Sequence, residues 1–319
     1  MAGRRRVASA FLGAFAGVQI VPPVAVTSGF DKSVHLVGSS ISTLKPFLAE
    51  GIPDSGVATA QPAVRTQNLK ILGDCKTPFA WGGYFTNFSI LHPAVDDKAL
   101  AANTLSFFLD DCAFETVDVL VRATHRHESL MPALRVFSSD ITVEWDSRPD
   151  RYYTHSIGTA GISGTNFNIA LRHPLTGEFD DVGNFIHFVS DGLADGPRSF
   201  AEVGFGDTTI LRAQLALDHV LDSFDFPYIK ADYWAMRHMQ DAFLIALTLW
   251  NEGLRPSNRD ARTKLLRKYL ESCRSIVATA KLSQQEVHDW LLLLCEREFQ
   301  SSVGFGSLWE DYMKEKLWN

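Results

Sequence analysis

The ten histidines are the side chains of this chain best suited to moving protons or holding metal ions near neutral pH. His125-Arg126-His127-Glu128 sets two imidazoles two residues apart. They share one side if the strand that begins at Val117 continues through them. His155, His173 and His187 fall on or beside segments that read as strands, and Asp191 follows His187 at a strand end. A histidine beside a carboxylate there can act as an acid–base pair or a metal site. The competing reading is scattered surface histidines and core histidines satisfied by hydrogen bonds.

Other chemistries are incomplete. His238-x-x-Asp241 and His288-Asp289, with His219 upstream and Asp311 downstream, raise the HD phosphohydrolase pattern, but the flanking residues are ordinary. Gly158-Thr-Ala-Gly161-Ile-Ser-Gly164-Thr lacks the lysine of a phosphate-binding loop and reads as a turning loop. Gly204-Phe-Gly206-Asp207 is a short glycine pair before a helix. Cys75, Cys112, Cys273 and Cys295 are too sparse for a disulfide scaffold, and no two have C-x-x-C spacing. Buried free thiols in a reducing compartment are expected, with no cofactor and no metal.

Phosphate contact is the remaining candidate chemistry. Net charge is -7, so the molecule as a whole is not a basic nucleic-acid binder. The basic residues are concentrated, however. Arg4, Arg5 and Arg6 open the chain, and residues 255–281 carry eight basic side chains against two acidic ones. At 100° per residue, Leu265, Leu266, Tyr269, Leu270, Cys273, Ile276 and Val277 form an apolar arc. Lys264, Arg267, Lys268, Arg274 and Lys281 form the adjoining arc. Arg4, Arg5, Arg6, Lys264, Arg267, Lys268 and Arg274 are therefore the expected phosphate contacts, nonspecific and backbone-directed. The competing reading is a solvated helix face, or one paired with acidic surface on a neighbouring subunit.

The elements that must position these groups follow from composition and pattern. Of 319 residues, 46% are hydrophobic and 21% charged, which excludes a disordered chain. Residues 1–62 read as an extended arm and loop, with Pro22-Pro23 denying ladder donors, a short strand at 33–38, helical turns at 41–48 and a loop at 51–62. Residues 63–208 read as a β-rich domain, with strands near 117–124, 152–157, 167–171 and 184–189, and a hairpin of 134–137 with 141–145. A helix fits Asp96 to Asp110. Residues 209–319 read as a helical domain: 209–224, 232–251 ending near Gly253, a helix capped by Asn258 and running to about Lys281, 284–300 behind the capping box Ser283-Gln-Gln-Glu286, and a short last helix. The fold class is α+β, an antiparallel sheet in the first two-thirds followed by an α-helical last third. No apolar stretch is long enough to span a membrane.

Both ends carry apolar material: Phe11, Leu12 and Phe15 at one, Trp309, Leu317 and Trp318 at the other. These ends are expected to dock, on the chain's own body or on a neighbour. Together with the arginine-led start and the absence of a complete catalytic motif, they give the reading of a non-enzymatic assembly protein. It would be a viral coat or nucleocapsid-type subunit that self-associates into a homo-oligomer and contacts single-stranded or genomic nucleic acid, in the cytoplasm or virion. An N-terminal secretion signal, from Arg4-Arg5-Arg6 and the apolar run to Ala16, is the rival for the first residues. The alternative functions are a hydrolase built on His125, His155, His187 and Asp191, possibly with a metal, and a monomeric partner-binding module.

Overall fold

The computed structural model describes residues 2–93, 97–190, 198–224, 226, 232–299 and 303–318. In chain order the elements are α1 (Ala2–Gly13), β1 (Gln19–Ile20), α2 (Ile41–Glu50), β2 (Val57–Val64), β3 (Tyr84–Pro93), α3 (Asp97–Ser106), β4 (Val119–Ala123), α4 (Met131–Phe137), β5 (Thr142–Trp145), β6 (Thr154–His155), β7 (Ile162–Arg172), β8 (Phe179–Ser190) and β9 (Arg198–Gly206). The helical part follows as α5 (Asp207–Gln214), α6 (Tyr233–Asn251), α7 (Ala261–Ala280), α8 (Gln284–Leu294), α9 (Val303–Leu308) and α10 (Lys314–Lys316). The molecule is α+β as expected. Its sheet is mixed, in the order β1-β2-β3-β9-β8-β7-β4-β5, with β6 also on β7. The central pairings are antiparallel, and β1·β2 and β4·β5 are parallel.

Four local expectations are corrected. Residues 1–62 are no arm: they supply α1, β1, α2 and most of β2 to the same sheet and core as the rest. The segment read as a loop ends in β2, with Pro62 inside it. Proline is tolerated because only β3 pairs with β2 there, while the Gln61 side chain ties the passing Val24 backbone through bonds of 2.9 and 2.8 Å. Residues 33–38 form turns and bends, not a strand. The hairpin at 134–145 is instead α4 followed by β5, which crosses over to lie parallel to β4. Pro132 sits in the first turn of α4, where its missing N–H has no helical partner to lose.

Both faces of the sheet follow from register. Residues opposite one another on paired strands share a face. One row runs Phe167, Phe185, Val203, Ile90 and Ala58, and is buried under α1, α3, α4 and α5. Phe11 of α1 lies within 6 Å of the rings of Phe15, Phe88, Phe107 and Phe205. The next row, one residue along, runs Arg122, Asn168, Asn184, Gly204, Ser89 and Thr59 on the opposite face. That face is apolar only under α2, where Leu44 and Leu48 meet Leu91, Ile186, Phe188 and Phe200.

The helical third packs around α6, which is buried on nearly every side, in a core that also takes in Val26, Leu36, Val64, Leu72, Cys75 and Phe79. Asp232 caps α6, and Ser283 with Glu286 forms the expected capping box of α8. The cap of α7 is Asp260, two residues after the expected Asn258; its carboxylate accepts from the N–H groups of Arg262 and Thr263. α5 stops at Gln214, short of the expected helix to 224. Both chain ends dock on the chain's own body. Phe11 and Phe15 are in the sheet core, with Leu12 packed against it. Trp309 and Leu317 are in the helical core, and the Trp318 indole donates to the Leu282 carbonyl at 3.1 Å. Among the described residues no helix is long and apolar enough to cross a membrane.

Candidate nucleic-acid interface

The polar row floors a cleft of two lobes, about 440 and 400 Å³, which share Arg65, Asn87, Asn184 and Gly204. Gly204 stands in the floor where the lobes meet and adds no side chain to divide them. The first lobe is rimmed by Trp81 and Tyr152, both large, solvent-exposed rings. The second reaches under α2 and includes Lys45, His155, Gly158 and Glu202.

Arg65 follows β2 directly and stands at the junction. Its guanidinium lies 4.8 Å from the centre of the Phe85 ring, and its Nε donates to the Gly38 carbonyl at 3.3 Å. Among the described residues no carboxylate lies within ion-pairing distance of it. The tip is open to the cleft, while the surrounding protein withdraws enough water to pull its pKa below the ordinary value. The other nearby cation is already paired: Lys45 meets Asp31 at 2.7 Å and Ser33 at 2.8 Å. Burial works to raise Asp31, but hydrogen bonds from Lys45 and Ser33 overcome it and hold the carboxyl at about 2.

The floor is a chain of carboxamides. Asp181 accepts from Arg122 at 2.5 Å, from the Tyr152 hydroxyl at 2.9 Å and from Asn168 Nδ2 at 3.2 Å. Asn168 Oδ1 in turn accepts from Asn166 at 2.7 Å and Asn184 at 2.5 Å. Glu202, nearly buried, is pushed by that burial up to about 7. The loop between β2 and β3, which carries Asn68 and Trp81, is fastened to the helical third. Asp241 of α6 accepts from Asn68 at 3.0 Å and from the Gly83 N–H at 2.5 Å. His238 faces the Leu72 and Thr77 carbonyls at 2.8 and 2.9 Å, and His219 faces that of Phe79 at 2.8 Å.

These bonds correct the HD pattern: His219 and His238 hold backbone, His288 pairs with Asp289 on the surface, and Asp311 is exposed. Among the described residues, the strand-end histidines are not brought together either. His187 turns to the covered face and meets Asp97 at 3.0 Å, His125 stacks on Trp145 at 3.9 Å, and His173 closes a turn against the Leu217 carbonyl. Asp191 lies outside the described residues. Of the histidines flagged by sequence, His155 alone lines the cleft. No cluster of metal-ligating side chains occurs among the described residues.

The expected phosphate contacts divide. Arg4 is buried and bound, to Asp207 at 2.7 Å and Glu298 at 3.2 Å, with Phe224 under its guanidinium at 4.0 Å. Burial and two carboxylates take it out of the set. Arg5 and Arg6 are exposed on α1. On α7, Lys264, Lys268 and Arg274 are exposed, and Arg267 meets Glu271 at 3.3 Å. Arg65, Asn168, Asn184 and Glu202 were not anticipated. The period-two polar positions inside apolar strands, as in Asn166-x-Asn168, were their only signal in the sequence.

No protein-family model matches the sequence, and no curated protein does. The fold is similar to the RNA binding domain of threonyl-tRNA synthetase from Cryptosporidium parvum Iowa II, at 12% identity and TM-score 0.41, over 67% of this chain and 64% of that one. It is also similar to apo histidyl-tRNA synthetase from S. aureus (9% identity, TM-score 0.42, 84% of each chain). A third is aspartyl-tRNA synthetase from Entamoeba histolytica (13% identity, TM-score 0.41, 72% of this chain and 58% of that one). The chain thus spans less than two-thirds of the first and third of these. At such identities and scores the likeness assigns no activity. The expectation of a viral coat or nucleocapsid-type assembly subunit is corrected: these neighbours are tRNA synthetase chains, and the apolar ends on which the assembly reading stood are packed into the chain's own cores.

Proposed function

We propose that the protein binds single-stranded RNA in the two-lobed cleft, with one phosphate at Arg65 and a nucleoside on either side of it. The observation that carries this reading is Arg65 itself: a cation without a carboxylate partner among the described residues, at the junction of two lobes of similar size. Unpaired arginine in a concave, partly dehydrated site favours a phosphate, which can take two N–H bonds at once. Each lobe is within the range of ligand sites, about 300–1,000 Å³. Trp81 and Tyr152 offer rings on which a base can stack, and single-stranded RNA is commonly held by such stacking together with amide hydrogen bonds.

The test is calorimetric titration with the dinucleotide ApA across a salt series, for the native protein and for Arg65→Met. One neutralised phosphate predicts a log–log salt slope of roughly -0.7. Loss of the charge should weaken binding by about tenfold or more, as expected for a charge-assisted bond, with the melting temperature unchanged. The reading fails if ApA does not saturate the protein at about 1 mM, or if Arg65→Met binds it equally well.

A further inference from the structure

Resting on the RNA reading above, we propose that the second lobe is a base-selective subsite. In it His155 Nε2 and the Glu202 carboxyl accept hydrogen bonds from an exocyclic amino group, favouring adenine, cytosine and guanine over uracil. The polarity of this wall is set 26 residues away by Asp181, a carboxylate that can only accept. Asn168 must therefore present its Nδ2 to Asp181, at 3.2 Å, which turns its Oδ1 the other way. Asn166 then has to donate its Nδ2 to that oxygen, at 2.7 Å, leaving its own Oδ1 toward His155. The contact between Asn166 Oδ1 and His155 Nδ1, 3.2 Å, consequently needs the proton on Nδ1.

In the neutral ring Nε2 is then a bare lone pair. It has no hydrogen-bond partner among the described residues, and the ring lines the lobe. Asn166 and Asn168 are 1% and 4% exposed, so this polarity is built into the sheet and not set by solvent. Glu202 supplies the second acceptor of the lobe, while Lys45, the nearby donor, is held by Asp31 and Ser33. An amino group can donate to both, and the 4-carbonyl of uracil meets the His155 Nε2 lone pair to lone pair.

The experiment has two arms. Titration of ApA, CpC and UpU should give ApA and CpC at least about fivefold tighter than UpU, the penalty of an unpaired buried acceptor. His155→Phe, which keeps a ring and removes the lone pair, should bring the three within about twofold. In the second arm, ¹⁵N NMR of the ligand-free native protein should find His155 protonated on Nδ1 and not on Nε2. Equal affinities for the three dinucleotides, or a proton on Nε2, overturn the subsite and leave the RNA reading standing. If none of the dinucleotides binds, both fall.

Discussion

Asn184 and Phe185 are consecutive on β8 and stand on opposite faces of one sheet. Phe185 is fully buried and stacks on Phe167 at 5.0 Å, in a row of side chains that carry no polar atom. Asn184 belongs to a row that is polar on six successive strands apart from one glycine. Burial pulls the first row together without regard to direction, so any close-fitting apolar set would serve it. The second row is directional. Its amides have one arrangement in which all are satisfied, because Asp181 at one end can only accept. The covered face therefore carries the stability of the fold, and the open face carries its specificity.

The sharpest way to break this contrast is to truncate each neighbour. Phe185→Ala should lower the unfolding free energy by about 3–5 kcal/mol and Asn184→Ala by about 1–2 kcal/mol, measured by denaturant titration. Similar losses for the two would put the open face on the same structural footing as the core.

Next in size is a dependence on pH set by a buried carboxyl of the open face. Burial lifts Glu202 from 4.5 to about 7, so with rising pH the unfolded chain ionises first. Stability is then greatest below about pH 4.5 and falls until about pH 7, by at most about 3 kcal/mol. Glu202→Gln removes that fall: the melting curves of the two proteins should coincide near pH 4 and the variant should lead above about pH 7. A variant that trails at every pH would mean that the carboxylate is held by bonds worth more than its burial.

The smallest effect belongs to the exposed charges of α7. Reversing Lys264, Lys268 and Arg274 to Glu should shift stability by less than about 0.5 kcal/mol, as surface changes do. It should also weaken ApA binding less than Arg65→Met does. A larger loss of binding than from Arg65→Met would move the RNA contact from the cleft to the helix.

Much of the fold was legible because its signals are local. The cap at Ser283, the apolar arc of α7 and the strands read at 117–124 and 167–171 need only neighbours in sequence to be recognised, although β7 starts earlier, at Ile162 within the glycine segment read as a loop. Leu134-Arg-Val-Phe137 misled because four alternating residues fit a strand and a helical turn equally, and Pro132 decides for the helix. The cleft was illegible for a different reason. Thr59, Ser89, Asn168, Asn184 and Gly204 share no motif, and strand register alone brings them into one row. Arg65 looks ordinary in the chain; what marks it is the lack of a carboxylate nearby among the described residues, and that is a property of space. The histidines point the same way, since His219 and His238 of the HD spacing proved to be fasteners for backbone.

Arg4 ties α1 to Thr86 of the sheet, to Asp207 at the start of α5 and to Glu298 beyond α8. It leaves the ribosome 203 residues before Asp207 and 294 before Glu298. During synthesis, therefore, the first helix emerges with an apolar face and an unneutralised guanidinium whose partners do not yet exist. Contacts this distant in sequence close late, because the intervening chain must first be ordered. A segment made well before its partners is thus among the last to reach its place, and closing it joins the sheet to the helices in one step.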